Sequence, residues 1–232
     1  MKLVLSGGGN KEQSKPIDHL FASLLNKKKP LLYIPMAIDT KKHPYSECIK
    51  WLKNIFDVFG VKNYVMWTEK DLKNTSPLPK QEQFSGVYIG GGNTFYLLKK
   101  LKETSCWKWI QECIKKDMPI YGGSAGAIIC GKSIRTSSDK NEVSLQDFSG
   151  MDMLKGVSIF CHYTPQKDQR IYALMKKEKL KKAIALTEET GIFITKKECR
   201  VIGKMPAYLF TEKEKKELKI GVALSNNSEA YV

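Results

Sequence analysis

Met118-Pro119-Ile120-Tyr121-Gly122-Gly123-Ser124-Ala125-Gly126-Ala127-Ile128-Ile129 reads as a short strand, a tight turn and the start of a helix. The apolar run up to Tyr121 is closed by two glycines, as buried parallel strands commonly are. The small residues from Ala125 onward suit a helix pressed closely onto a sheet. A G-x-S-x-G pattern at such a junction puts its serine on a sharp strand-to-helix turn with the hydroxyl above the sheet. The first amides of the following helix point back at that hydroxyl, where negative charge would develop during attack on a carbonyl. Ser124 is therefore the candidate nucleophile and the Ala125 N–H a candidate oxyanion donor. The competing reading is a glycine-rich turn with a capping serine.

The same rhythm extends outward along the chain. Residues 2–5, 31–34, 62–67 and 87–89 are further short apolar runs, three of them closed by glycine or proline. Between them, Ile49, Leu52, Ile55, Phe56 and Phe59 mark one face of a helix stopping at Gly60, and Phe95, Leu98 and Leu101 mark another behind an Asn93-Thr94 cap. Strands alternating with helices of this length specify an α/β fold with a doubly wound, mostly parallel sheet flanked by helices, its site beyond the strands' C-terminal ends. After about residue 155 the strands crowd together at 157–161, 183–186, 191–195, 200–202 and 207–210, with one helix near 168–180. They are expected to finish the same sheet or pack at its edge. Residues 70–83 read as a polar loop and 224–232 as a tail. With no linker and no internal repeat, residues 1–232 are expected to form one domain.

Two more glycine runs end strands. Gly90-Gly91-Gly92-Asn93-Thr94 offers a backbone N–H, at Gly91 or Gly92, as a second oxyanion donor, and reads equally as a capped turn. Ser6-Gly7-Gly8-Gly9-Asn10 lacks the third glycine of a G-x-G-x-x-G fingerprint, so a dinucleotide site is not expected and a substrate-facing turn is the milder reading.

Three histidines make the search for a base short. His19 falls inside a helix and His43 sits beside lysines before Pro44; both read as surface or capping residues. His162 ends the apolar run Val157-Ser158-Ile159-Phe160-Cys161, at the sheet end where a partner for Ser124 is needed, and is the candidate base. Asp139, Glu188 and Glu189 compete to orient its imidazole. An α/β-hydrolase order of serine, acid, histidine fits poorly, because 70 residues follow His162.

Composition narrows the function classes. Apolar residues make up 42% and charged residues 27% of the 232, the balance of a folded protein rather than a disordered one. The net charge of +15 suggests nucleic acid, but arginine occurs only at 135, 170 and 200; the other 36 of 39 basic residues are lysines, spread over most segments. Base-reading surfaces favour the bidentate guanidinium, so a solvated lysine-rich surface is the expectation and a nucleic-acid partner is not. The six cysteines form no CxxC pair and no Cys/His metal spacing, as in a reduced, cytoplasmic protein. The segment before Gly7 is too short for a signal peptide, and no run approaches the ~20 residues of a membrane span, so a soluble cytoplasmic chain is expected.

Taken in order and spacing, Gly-Gly-Gly-Asn-Thr at 90–94, Gly-x-Ser-Ala-Gly at 122–126, Gly-Lys-Ser-Ile-Arg-Thr at 131–136 and the lone His162 resemble the dipeptidase E (aspartyl dipeptidase) family of serine peptidases, with cyanophycinase as a distant relative. The resemblance covers nearly the whole chain. It implies a fold similar to class I glutamine amidotransferases with serine in place of the usual cysteine nucleophile. It further implies no metal or other cofactor, an acyl-enzyme, and small peptide substrates such as dipeptides with N-terminal aspartate. A Ser-His-Glu arrangement is implied as well, and Glu188, just past the run Ala183–Leu186, occupies the matching place. The loop after His162 is shorter than in the dipeptidases, and Lys167 stands at one matching basic position. Lys167, Arg170 and Arg135 are the nearest cations for a substrate carboxylate. A serine amidase or esterase on another small substrate, or a binding protein of the same fold, are the alternatives.

Overall fold

The strand β1 (Lys2–Ser6) lies at the centre of the molecule because both of its faces are apolar. Leu3 and Leu5 point to one side and Val4 to the other, the alternation of a pleated strand, and all three are fully buried. The same two-sided pattern recurs in β2 (Leu31–Ile34), β4 (Gly86–Ile89) and β5 (Pro119–Gly123). Strands buried on both faces need helices on both, which requires parallel crossovers. This computed structural model describes residues 1–74 and 77–224.

The large sheet has eight strands in the order β12-β9-β8-β1-β5-β4-β2-β3, adding β3 (Tyr64–Met66), β8 (Thr190–Thr195), β9 (Cys199–Gly203) and β12 (Ala223–Leu224). The five from β1 to β3 are parallel, and β8, β9 and β12 continue the sheet antiparallel. It is thus mixed, mostly parallel and flanked by helices, in keeping with a class I glutamine amidotransferase-like fold. Because β8 runs opposite to β1, Ser6 pairs with Gly191, and the start of β8 lies beside the C-terminal end of β1. That register brings the segment before β8 to the end of the sheet where the parallel strands finish.

One face carries α1 (Lys11–Ser23) and α2 (Tyr45–Phe56), whose Ile17, Phe21, Leu52 and Phe56 pack against Val4, Tyr33, Tyr88 and Tyr121. Tyr88 and Tyr121 stack at 4.5 Å between centroids, with Phe21 and Phe56 edge-on to them. Fully burying a side chain of this kind contributes roughly 1.5–3 kcal/mol, so this aromatic layer is a main anchor of the two helices. The other face carries α4 (Thr94–Lys102), α5 (Cys106–Lys115) and the short α6 (Ala125–Ile128).

The late strands do not all finish that sheet. Beyond β8, β9 and β12, a separate four-stranded sheet forms in the order β11-β10-β7-β6, from β6 (Val157–Phe160), β7 (Lys182–Ala185), β10 (Ala207–Thr211) and β11 (Lys215–Leu218). β6 and β7 are parallel, joined over α7 (Asp168–Glu178). Ile159, Ile184 and Leu209 face the main core, while Phe160, Ala183 and Phe210 pack with Ile171 and Met175 of α7. A sheet with two apolar faces cannot sit at a solvent edge; it forms its own layer.

The segment 70–83 is less of a loop than expected. It holds α3 (Glu69–Asn74) and a 3-10 turn at Gln81–Gln83. Thr68 starts α3 by donating both its N–H and its hydroxyl to Asp71 Oδ2, at 2.8 and 2.6 Å, and Leu72 is buried beneath. Of the expected C-terminal tail, all but Leu224 lies outside the described residues.

Candidate active site

Four chain segments meet at the C-terminal end of β1. Ser124 follows β5 directly, with φ 49° and ψ −108°, a positive-φ backbone that a residue with a Cβ seldom adopts. Its N–H donates to Ser6 O at 3.0 Å, and its carbonyl accepts from Ala127 and Ile128, so the turn is fixed at both ends. Such a conformation costs of order 1–3 kcal/mol and persists only where its surroundings enforce it. Because α6 is a single turn of four residues, little macrodipole develops. Any anion stabilisation here therefore comes from individual N–H groups, not from a helix dipole.

His162 also has positive φ, 52°, and its N–H donates to Gly7 O at 3.0 Å. Its ring is aimed back over the sheet end, with Nε2 2.9 Å from Ser124 Oγ and Nδ1 3.0 Å from Glu188 Oε1. Glu188 lies in the turn between β7 and β8, braced by a Thr187–Thr190 hydroxyl pair at 2.7 Å. Its second oxygen, Oε2, accepts from Gln13 Nε2 at 3.0 Å. The His162 hydrogen bond holds the Glu188 carboxyl below the usual carboxylate range, helped by Gln13 and the Lys167 charge and opposed by partial burial.

The other two carboxylates go elsewhere. Asp139 Oδ2 accepts from Thr94 N and Oγ1, both at 2.8 Å, and from Ser137 Oγ at 2.7 Å, tying the 137–141 segment to the start of α4. Glu189 faces Lys204 at 3.7 Å.

The first glycine run has a role that sequence reading did not find. A Cβ on Gly8 would lie 2.5 Å from His162 Cε1 and 2.9 Å from Ser124 Cβ, and one on Gly9 would lie 2.1 Å from Glu188 O. The run is the floor against which the histidine and the Glu188 turn are laid. A triple glycine at the end of a strand was the available signal.

The second glycine run separates its two members. A Cβ on Gly91 would lie 3.2 Å from Ser124 Cβ and 3.7 Å from Oγ, whereas Gly92, at φ 127°, backs onto Ala37 O. Gly91 is the residue beside the serine.

A cavity of about 280 Å³ opens over Ser124 and His162, walled by Thr136–Asp139 and by Lys167 and Arg170. Lys167 Nζ donates to the His162 carbonyl. Arg170 is exposed and makes no ion pair among the described residues. Arg135 is not brought to the cavity: it pairs with Glu178 at 2.7 Å and lies 4.0 Å over the Phe148 ring. Cys161, next to His162, has its thiol pushed well up by burial and donates weakly to Ser124 O at 3.5 Å. Among the described residues, no three His, Cys, Asp or Glu side chains group in a way that could hold a metal ion.

The profile of peptidase family S51 matches residues 3–202. The chain belongs to peptidase family S51. It is a serine-type peptidase. Peptidase E of Shewanella sp. (strain W3-18-1) is 30% identical over 164 residues, spanning 66% of this chain and 69% of that one. Peptidase E of Shewanella denitrificans is 30% identical over 165 residues, spanning 66% and 68%. The crystal structure of a peptidase from an acI-B1 Actinobacterium superposes with a TM-score of 0.70 at 19% identity, over 97% of this chain and 96% of that one, a likeness of fold. No helix among the described residues is long and apolar enough to cross a membrane.

Proposed function

We propose that this S51 peptidase hydrolyses small peptides with an N-terminal aspartate through an acyl-enzyme on Ser124. The observation that carries the reading is the unbroken line from Ser124 Oγ to His162 Nε2, at 2.9 Å, and from His162 Nδ1 to Glu188 Oε1, at 3.0 Å. Nε2 takes the hydroxyl proton as Oγ attacks the peptide carbonyl carbon, and the oxyanion is held by the N–H groups of Ala125 and Gly91. His162 then gives that proton to the nitrogen as the C–N bond breaks. Water then attacks the acyl-enzyme, losing a proton to His162, which returns it to Oγ as the acyl C–O bond breaks, so that the acid leaves and Ser124 is restored. Glu188 keeps Nδ1 protonated and stabilises the imidazolium formed in each half.

Lys167 and Arg170 on the cavity wall supply the positive charge for an acidic side chain, and Arg170 is the freer of the two. Arg135, engaged by Glu178, has no part in this reading. The test is a panel of Asp-X, Asn-X and Ala-X dipeptides, run alongside phosphonofluoridate labelling. Asp-X should be cleaved at least tenfold faster, and Arg170→Ala should remove most of that margin while labelling at Ser124 persists. Equal rates for Asp-X and Ala-X would leave a peptidase without the aspartate preference. Failure of Ser124 to label would overturn the nucleophile itself and favour a binding protein.

A further inference from the structure

A second cavity, of about 670 Å³, is lined by the Gly91–Asn93 strip, sharing Gly92 with the cavity that holds Arg170. Its size is within the usual ~300–1,000 Å³ of ligand pockets. Its walls include Trp51, Tyr33, Ile38 and Cys48, with Lys42 and His43 also in the lining. Trp51 is 41% exposed, although its ring is steadied edge-on against buried Tyr88 at 6.0 Å. An exposed indole held in place beside an apolar hollow is an open binding wall, not a packing defect.

Its position gives the hollow its meaning. Gly92 lines both cavities, and Gly91, which faces the Ser124 side chain, lines this one. A carbonyl carbon attacked by Ser124 beside Gly91 therefore sits next to the strip that both hollows share. One hollow carries Lys167 and Arg170; the other presents Trp51, Tyr33, Ile38 and Cys48, with Asp39, Lys42, His43 and Glu47 also in its lining.

We propose that the Trp51 cavity is a specificity subsite for the residue following the scissile bond, and that it takes a large apolar or aromatic side chain. The preferred substrate class is then an acidic residue followed by a bulky apolar one. This assignment rests on Ser124 as nucleophile and on the acyl side chain lying toward Arg170.

The experiment compares kcat/KM for Asp-Phe, Asp-Leu and Asp-Gly in the wild-type protein, Trp51→Ala and Trp51→Phe. Asp-Phe and Asp-Leu should exceed Asp-Gly by tenfold or more, Trp51→Ala should collapse that ratio to within about threefold, and Trp51→Phe should keep most of it. A ratio near one in the wild-type protein, or a ratio unmoved in Trp51→Ala, overturns the proposal. A binding arm keeps it separable from the hydrolase reading. In Ser124→Ala, Asp-Phe should change the tryptophan fluorescence more than Asp-Gly does, and the difference should vanish when Trp51→Phe is added, leaving the three other tryptophans of the chain. Equal responses to the two peptides overturn the subsite even if no peptide is turned over.

Discussion

Gln13 joins the first turn of α1 to the end of the candidate triad: its Nε2 donates to Glu188 Oε2 at 3.0 Å, while its Oε1 accepts from the N–H of Asn10 at 2.9 Å. The second bond is half of a capping box, with Asn10 Oδ1 accepting from Gln13 N at 3.1 Å. One amide therefore closes a helix and orients a carboxylate. Gln13→Glu separates the two roles, because glutamate closes a capping box equally well but places a second carboxylate against Glu188. Like charges so close resist joint ionisation, so the acid limb of the kcat/KM profile should move up by roughly one pH unit with little change in Tm. An unmoved limb would make Gln13 a cap and nothing more.

Glu188→Gln should lower kcat by about 10³- to 10⁴-fold, because it removes the group that fixes the imidazole and balances its charge. Asp139→Asn should behave differently. Its carboxylate holds the cavity wall to Thr94 and Ser137, so the variant should raise KM and lose about 1 kcal/mol of stability, with kcat within tenfold of normal. Glu189→Gln should be near normal in both. Steady-state kinetics with a urea midpoint for each variant checks all three, and a crippled Asp139→Asn beside a healthy Glu188→Gln would reverse the assignment.

The backbone of Ser124 predicts a gain in stability from an inactivating change. Ser124→Gly removes the hydroxyl and also the Cβ that makes φ 49° costly. It should raise stability by about 1 kcal/mol, a Tm rise of roughly 2–4 °C, while Ser124→Ala loses the same activity without that gain. A glycine variant no more stable than the alanine one would show that the turn carries no strain.

Asp18 predicts a pH effect on stability. Buried in α1, it accepts from Ser14 Oγ at 2.6 Å and Tyr121 hydroxyl at 2.8 Å, and burial raises its carboxyl to about 6, those hydrogen bonds opposing the shift. A raised folded value means that the native state binds the proton more tightly than the unfolded chain does. Its contribution is therefore complete below the ordinary aspartate value near 4 and is lost as pH rises through about 6. The full swing is about 3 kcal/mol at most. Asp18→Asn should flatten the stability-versus-pH curve between about 4 and 7, measured as wild type minus variant from urea midpoints. Parallel curves would show that Asp18 is ionised throughout.

The sequence carried the Ser124 turn clearly, because strand, glycines and small-residue helix are all local and leave one geometry. It carried His162 nearly as well, since an apolar strand ending in the one well-placed histidine needs no long-range information. Glu188 could be told from Glu189 by resemblance and strand position, yet the hydrogen bond that separates them depends on the reversed direction of β8, which periodicity does not encode. The split of the late strands into two sheets was illegible for the same reason: alternation shows that both faces of β10 are apolar, not which layer they meet. Gln13 was hidden because an amide three residues after Asn10 already has a sufficient local explanation as a cap. Arg135 is close to the candidate site only in sequence, and its partner Glu178 lies at the end of α7.

The two-sheet arrangement also makes this site an alignment gauge. Ser124 belongs to the large sheet, His162 hangs from the end of β6 in the small one, and Glu188 sits on the bridge where β7 hands the chain over to β8. No single layer holds the candidate triad. A slip of 1 Å between layers would open the 2.9 Å gap from Oγ to Nε2 beyond hydrogen-bond reach without unfolding either sheet. Trimming Ile159, Ile184 or Leu209, the side chains that seat one sheet on the other, thus acts like loosening a mount beneath an optical bench: every component stays intact, and the beam no longer arrives.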